Sequence, residues 1–261
     1  MTAPPTTGER LDDASALYSA DLARHRAAYR FAKAQARAGR AVDLGCGTGY
    51  GTAELAAAGW GVVGMDRVEP ASRARGSAAR FVRGDLERLP FAARSFDTAT
   101  SFQVIEHLAD PRGYLEQIAR VLAPDGVLLL STPNRPQSDG ENPYHLHEYE
   151  AAELESVLAA HFASVEMRGV HAVGVAARYH ADRLRRIRLI TRLDPLRLRR
   201  RLPRSLVEWL FARLSIVVRL AARRSGTTAA VADEHYEIGA ANADCIDLVA
   251  VCRGPKAAPG S

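Results

Sequence analysis

At 261 residues, with 47% hydrophobic and 25% charged positions, the chain has the composition of a soluble globular protein, long enough for one domain with a large core plus an insertion. Its three cysteines, Cys46, Cys245 and Cys252, show no metal-ligand spacing, and the opening MTAPPTTGER lacks the apolar run of a signal peptide, which points away from a secreted, disulfide-stapled fold and toward a reducing cytoplasm. The charge is uneven: residues 178–224 hold 15 arginines against Asp182, Asp194 and Glu208, a local +12 in a chain of net +5, which leaves the rest at −7.

Residues 1–12 read as a disordered tail, as do 254–261. Residues 13–38 are alanine-rich with no internal Gly or Pro and predict a helix that Gly39 stops. AVDL (41–44) predicts a short buried strand. TGYGTAELAAAG then opens a helix at a glycine bend, Gly59 closes it, and GVVGMD (61–66) predicts a second strand ending in an acid.

The alternation continues through ARFVRGD (79–85), SFDTATSFQ (95–103), the helix DPRGYLEQIARVLA (110–123) and the strand GVLLLSTPN (126–134). Asp110 suits an N-cap with Pro111 in the first helical position, and PDG at 124–126 suits a turn. EAAELESVLAAHF (150–162) predicts a helix, and ASVEMRGV (163–170) and CIDLVAVCR (245–253) predict strands. Strands alternating with helices imply an α/β fold, a largely parallel sheet covered on both faces. The expected domain is 13–175 plus 236–253, with 176–235 a basic helical insertion between the last two strands.

In such a sheet a ligand sits beyond the carboxyl ends of the strands, where strand order reverses. Gly45, Gly47 and Gly49 follow the first strand, where missing side chains let a ligand approach backbone N–H groups at a helix start. Asp66 ends the second strand and can accept both hydroxyls of a ribose. Asp85 ends the third and can accept from an exocyclic adenine amine, with Leu86 as a ring contact. A nicotinamide fingerprint, G-x-G-x-x-G, would need glycine at position 50, where the chain has Tyr50. Asp43, before the turn, can instead serve a positively charged ligand end.

VDLGCGTGYG, VVGMD, GDLERLPF, SFDTATSFQVIEHL, the helix ending RVLAPDG and the strand VLLLSTPN resemble, in order, the motifs of class I S-adenosylmethionine-dependent methyltransferases. The resemblance implies a Rossmann-like seven-stranded sheet whose last strand is antiparallel, and S-adenosyl-L-methionine as cofactor. It places Asp43, Gly45, Cys46, Gly47 and Gly49 around the methionine moiety, Asp66 on the ribose, Asp85 and Leu86 at the adenine, and Gln103, Val104 and His107 along the floor near the sulfonium. HRAAYRFA (25–32) and NPYHLHEY (142–149) resemble a subgroup many of whose members act on cell-surface sugars or lipids. The short, polar SRARGSAAR (72–80) departs from the family's second helix.

Methyl transfer to a hydroxyl calls for a base, and His107, His145, His147 and Glu148 are the candidates; NPYHLHEY is expected over the methyl end of the pocket, which favours His145 and Glu148. The competing reading is that His145 and Glu148 bond to each other and fix the loop. Tyr18, Tyr29, Tyr144, His147 and Tyr236 are candidate acceptor contacts, with core packing the alternative for Tyr18 and Tyr29. No metal is expected, because His145, His147 and Glu148 on one short loop lack a defined ligand geometry. Glu106 suits a cap on the turn after it as well as it suits catalysis.

Within 178–224, Pro195 and Pro203 split the chain, and SLVEWLFARLSIVVRLA (205–221) predicts a helix with a broad apolar face. Glu208, Arg213 and Arg219 argue against a membrane span and leave two readings: docking on an anionic membrane surface near a lipid-linked acceptor, or a lid over a small-molecule or sugar acceptor. Nucleic acid is disfavoured, since exposed aromatics do not interleave with the arginines. Outside the enzyme reading stand a nonenzymatic cofactor-binding scaffold on the same fold and a nicotinamide-dependent oxidoreductase.

Overall fold

The computed structural model describes residues 18–36, 38–138, 142–192 and 231–256, together with Leu11 and the isolated positions 206, 213 and 220. Most of the N-terminal tail, residues 257–261, the start of the first helix and most of the helix 205–221 lie outside the described residues, whereas Gly254 and Pro255, expected in the C-terminal tail, are corrected to the end of the last strand, which pairs on as far as Pro255 opposite Phe162.

Eight strands form one sheet: β1 (Arg40–Leu44), β2 (Gly61–Asp66), β3 (Arg80–Arg83), β4 (Phe96–Phe102), β5 (Leu122–Pro133), β6 (Phe162–Ala172), β7 (Tyr236–Ala240) and β8 (Asp247–Pro255). Their order across the sheet is β3-β2-β1-β4-β5-β8-β6-β7. β1 to β5 run parallel, and β8 lies antiparallel between β5 and β6, as expected for the last strand.

The expected count of seven strands is corrected by β7. YEIGA pairs antiparallel with the outer edge of β6, from Tyr236 opposite Ala172 to Ala240 opposite Arg168. Tyr236 and Ile238 favour a strand, but five residues with an internal Gly239 are too short to announce one, and the pairing with β6 makes it. A second departure concerns PDG at 124–126. The segment stays within β5 as an irregularity, the ladder jumping from Phe96 opposite Leu122 to Thr98 opposite Val127.

Side chains alternate across the strands, so both faces are apolar. Val42, Leu44, Leu128, Leu130, Ala250 and Cys252 face a core closed by α4 (Pro111–Val121) and α5 (Ala151–Ala159). Ala41, Val62, Val127, Leu129 and Val251 face the other, closed by α1 (Ser19–Gln35) and α2 (Tyr50–Ala57). α4 shows how sequence makes such a layer. Asp110 accepts from Gly113 N at 3.1 Å, Pro111 opens the first turn, and Tyr114, Leu115, Ile118 and Val121 form one buried stripe. Each of those side chains contributes roughly 1.5–3 kcal/mol of apolar burial.

α3 is a single turn, Ser72–Arg75. α6 (Gly174–Arg192) leaves the end of β6 and begins the basic segment, burying Ala176, Tyr179 and His180 while Arg178 and Arg185 stay exposed. No described helix is long and apolar enough to cross a membrane.

Candidate active site

The chain runs outward from β1 to β3 and returns to β4 on the other side of β1, so order reverses between β1 and β4. The turn after β1 is built from residues in the left-handed region, with φ of 75° at Gly45, 56° at Gly47 and 83° at Gly49. Gly45 and Cys46 donate to Met65 O at 2.8 and 3.1 Å, which ties the turn to β2. A Cβ on Gly45 would lie 2.4 Å from Val104 Cγ2, and one on Gly49 would lie 2.8 Å from Phe81 and 2.9 Å from Ala74. One on Gly47 would meet nothing within 4 Å. Two glycines thus serve packing, and the third opens onto space.

Asp43 lies beneath the turn, 1% exposed, and accepts hydroxyl hydrogen bonds from Thr52 (2.6 Å), Thr100 (2.7 Å) and Tyr29 (3.1 and 3.2 Å). Burial pushes its carboxyl above the ordinary range, and the three hydroxyls oppose that shift. Tyr29, expected as an acceptor contact, is corrected by this arrangement: it is buried edge-on against Phe102 over Gly51, with its hydroxyl committed to Asp43. Burial also pushes the Cys46 thiol up, which makes it a packing residue of the turn.

Asp66 is half-buried and accepts from Gly47 N (2.9 Å) and Val68 N (2.9 Å) through different oxygens. Asp85 is exposed. Glu87 N and Arg67 at 2.8 Å hold its carboxyl below the ordinary range. Leu86 is half-buried against the core.

At the end of β4, Gln103 is one of two described non-glycine residues with positive φ, at 56°, and its N–H donates to Ser131 O at 2.8 Å. Val104 packs against the glycine turn. The following 3-10 turn, Ile105–His107, carries the buried Glu106, whose Oε2 accepts from Thr132 Oγ1 at 2.9 Å and whose Oε1 has no hydrogen-bond partner. Burial pushes this carboxyl above the ordinary range. The backbone carbonyl of Glu106 accepts from Leu146 N (2.7 Å) and His147 N (3.2 Å), which straps the 142–149 loop across the end of β4.

That loop delivers His145. Its Nδ1 is 2.6 Å from Glu148 Oε1, which also accepts from Ser138 Oγ at 2.8 Å. Burial pushes the Glu148 carboxyl up, but the bonds from His145 and Ser138 outweigh it and hold the group below the ordinary range. The His145 ring lies edge-on to that of His107, 5.0 Å between centroids, and His107 Nδ1 is 3.0 Å from Tyr144 O. His147 turns away to Glu153 on α5 at 2.6 Å.

Tyr18, half-buried, precedes α1. Tyr236 is corrected as an acceptor contact: it is 1% exposed, its hydroxyl 3.0 Å from His180 Nε2 and donated to Ala20 O.

Residues 17–192 match the family model described as "Methyltransferase domain". The chain is also 39% identical over 186 residues to a probable S-adenosylmethionine-dependent methyltransferase of Mycolicibacterium smegmatis, covering 67% of this chain and 72% of that protein. The chain belongs to the S-adenosylmethionine-dependent methyltransferases. A second relative, the ubiquinone biosynthesis O-methyltransferase of Dinoroseobacter shibae, is 36% identical over 103 residues, which covers 37% of this methyltransferase and 42% of that protein. Among solved structures, an S-adenosylmethionine-dependent methyltransferase of Thermotoga maritima shares the fold, with a TM-score of 0.55 at 15% identity over 89% of this chain and 92% of that one.

The methyltransferase site holds partners that the sequence does not announce. Thr52 and Thr100 reach Asp43, Thr132 reaches Glu106 and Ser138 reaches Glu148. Asp247, buried opposite Pro133, pairs with Arg24 at 2.8 Å. Only Asp247 carries a readable signal, an acid opening an apolar strand.

Proposed function

We propose that this methyltransferase alkylates a hydroxyl of a small-molecule, sugar or lipid-linked acceptor, and that His145 takes up the proton. The observation that carries the reading is the 2.6 Å contact between His145 Nδ1 and Glu148. A carboxylate accepts only, so the bond places the imidazole proton on Nδ1 and the lone pair on Nε2, the tautomer a general base needs. The name of the O-methyltransferase relative supports a hydroxyl acceptor.

The chain's residues fit the cofactor. Gly47 leaves room beside the turn, and Asp66, fixed at the end of β2 by the N–H groups of Gly47 and Val68, is where the ribose hydroxyls would be held. Asp43 is buried and acts on a cationic ligand end through its charge rather than by contact. Asp85 and Leu86 would hold the adenine edge and face, Asp85 sharing its carboxylate with Arg67. Gln103, Val104 and His107 would form the floor, and Cys46 lends its backbone to the turn. When bound, S-adenosylmethionine supplies an activated methyl group on a sulfonium. The residues around it then have two tasks: to orient the acceptor, where positioning contributes up to about 7–11 kcal/mol, and to hold the proton at His145 Nε2, which contributes about 10²- to 10⁴-fold. Tyr144 and Tyr18 are the remaining acceptor contacts. The exposed arginines of α6 support docking on an anionic membrane surface, which would bring a lipid-linked acceptor to a site on the cytoplasmic side.

The test is turnover of sugar and glycolipid acceptors, read as S-adenosylhomocysteine released, with titration calorimetry of the cofactor alongside. His145→Ala and Glu148→Ala are expected to lose about 10²- to 10⁴-fold in turnover while binding the cofactor as the wild type does. Undiminished turnover in both variants would remove the base and, with it, the argument for a hydroxyl acceptor.

A further inference from the structure

One ligand atom from each of Glu106, His107 and His145 lies within 4.8 Å of the other two. His107 Nε2 is 4.0 Å from Glu106 Oε1, too far for a hydrogen bond. Oε1 is buried and has no hydrogen-bond partner, although its sister oxygen accepts from Thr132. A carboxylate oxygen out of water with nothing to receive is destabilising unless positive charge is brought to it.

The two histidines are prepared in the same sense. His107 Nδ1 faces the carbonyl of Tyr144 at 3.0 Å, and His145 Nδ1 faces Glu148 at 2.6 Å. Both partners only accept, so both rings carry their proton on Nδ1 and their lone pair on Nε2. A carbonyl or carboxylate that orients the far nitrogen of a histidine is the usual outer shell of a metal ligand. The three residues come from two segments strapped together by the Glu106 carbonyl, so their geometry is set by the fold rather than by one loop.

We propose that Glu106, His107 and His145 form a binding site for a divalent transition-metal cation, through Glu106 Oε1 and the two Nε2 atoms, with Glu148 and the Tyr144 carbonyl as orienting groups. Two imidazoles and one carboxylate suit zinc, iron(II), cobalt(II) or manganese(II) and leave coordination positions open. Ligation at about 2.0–2.2 Å requires the ligand atoms to close to roughly 3.4 Å of one another, a contraction of under 1 Å for the pair now at 4.0 Å. The purpose of the site rests on the hydroxyl-acceptor reading, whereas its existence rests on geometry alone. A cation there takes over the task given above to His145: an acceptor oxygen in an open position loses its proton to solvent water because coordination makes the O–H more acidic.

The test uses untagged full-length chain stripped with a chelator and titrated with Co²⁺, read by visible absorption, with Zn²⁺ as competitor. About one Co²⁺ per chain is expected, with bands that Zn²⁺ displaces. His145→Ala should weaken binding at least 100-fold and Glu148→Gln about 10- to 100-fold. Absence of the bands at millimolar Co²⁺, or equal binding by wild type and His145→Ala, would overturn the site. Glu106→Gln should abolish binding if it folds; if it does not, His145→Ala on the half-buried loop still decides. Calorimetry with S-adenosylmethionine on the same samples keeps the two readings apart, since cofactor binding without Co²⁺ bands sinks only the metal site, and bands without turnover of any hydroxyl acceptor sink only its purpose.

Discussion

Replacing Gly47 by alanine should change the methyltransferase's affinity for S-adenosylmethionine far more than its stability. At φ 56° a side chain is disfavoured, by about 1–2 kcal/mol, part of which alanine recovers by restricting the unfolded chain. Because an added Cβ meets nothing within 4 Å, no packing strain is added. The net loss, about 1 kcal/mol, corresponds to roughly 2–4 °C in melting temperature for a chain of this size. The methyl group, however, projects into the space where the cofactor is expected to approach the backbone, and the loss of even one well-made contact there corresponds to at least about tenfold in affinity. Gly49→Ala is the control. Its Cβ would lie within 3 Å of Phe81 and Ala74, so overpacking of about 1–3 kcal/mol adds to the backbone term and the fold suffers more than the site. Calorimetric titration with S-adenosylmethionine beside thermal melts reads both quantities. If Gly47→Ala melts a few degrees low and binds as the wild type does, the open side of the turn is not where the cofactor sits.

Two further expectations concern the frame behind the site. The ion pair between Arg24 and Asp247 is largely withdrawn from water, with side chains 13% and 3% exposed, so Asp247→Asn should destabilise by about 3–5 kcal/mol; an unfolding free energy from urea titration within about 0.5 kcal/mol of wild type would contradict this. Burial, with Arg24 and Arg183 adding to it against the weaker pull of Asp21, lowers the pKa of His180 to about 3. Since the unfolded chain takes up that proton near pH 6.5 and the folded chain does not until about pH 3, stability is full above pH 6.5 and falls toward pH 3 by up to about 1.4 kcal/mol per unit. Urea midpoints at pH 7 and pH 5 should therefore separate less in His180→Gln than in wild type, and an equal separation would refute the assignment.

What could be read before the structure follows from the range of the forces involved. β2 occupies the expected residues 61–66, because an apolar run between Gly59 and an acid carries its own boundaries. α4 is shorter than expected only at its end, where β5 begins at once and carries PDG as an irregularity. β7 was hidden because its strand character comes from Arg168–Ala172 on β6, far away in sequence. The sequence offers Tyr236 as an acceptor contact for the same reason: its position before the last strand is legible, but its burial against His180 and the Ala20 carbonyl is set by α6 and α1. Partners such as Thr100 and Thr132 depend on strand register, which hydrophobic alternation narrows to a face without fixing which residue stands opposite.

The carboxylates that β1 to β4 deliver at their ends are ordered by what they have been given to hold. Asp43 is buried and fully engaged by three hydroxyls. Asp66 is half-buried and accepts from two backbone N–H groups through different oxygens. Asp85 is exposed on an arginine that a ligand can exchange. Glu106 alone combines complete burial with an oxygen that nothing donates to. In a protein interior that combination persists only if the carboxyl is protonated or a cation approaches it, and each choice assigns His107 and His145 differently. A proton would leave His145 the role of base proposed above, whereas a cation would make both rings ligands. The same four strand ends therefore leave one charge to be supplied, and cobalt titration reads which kind it is.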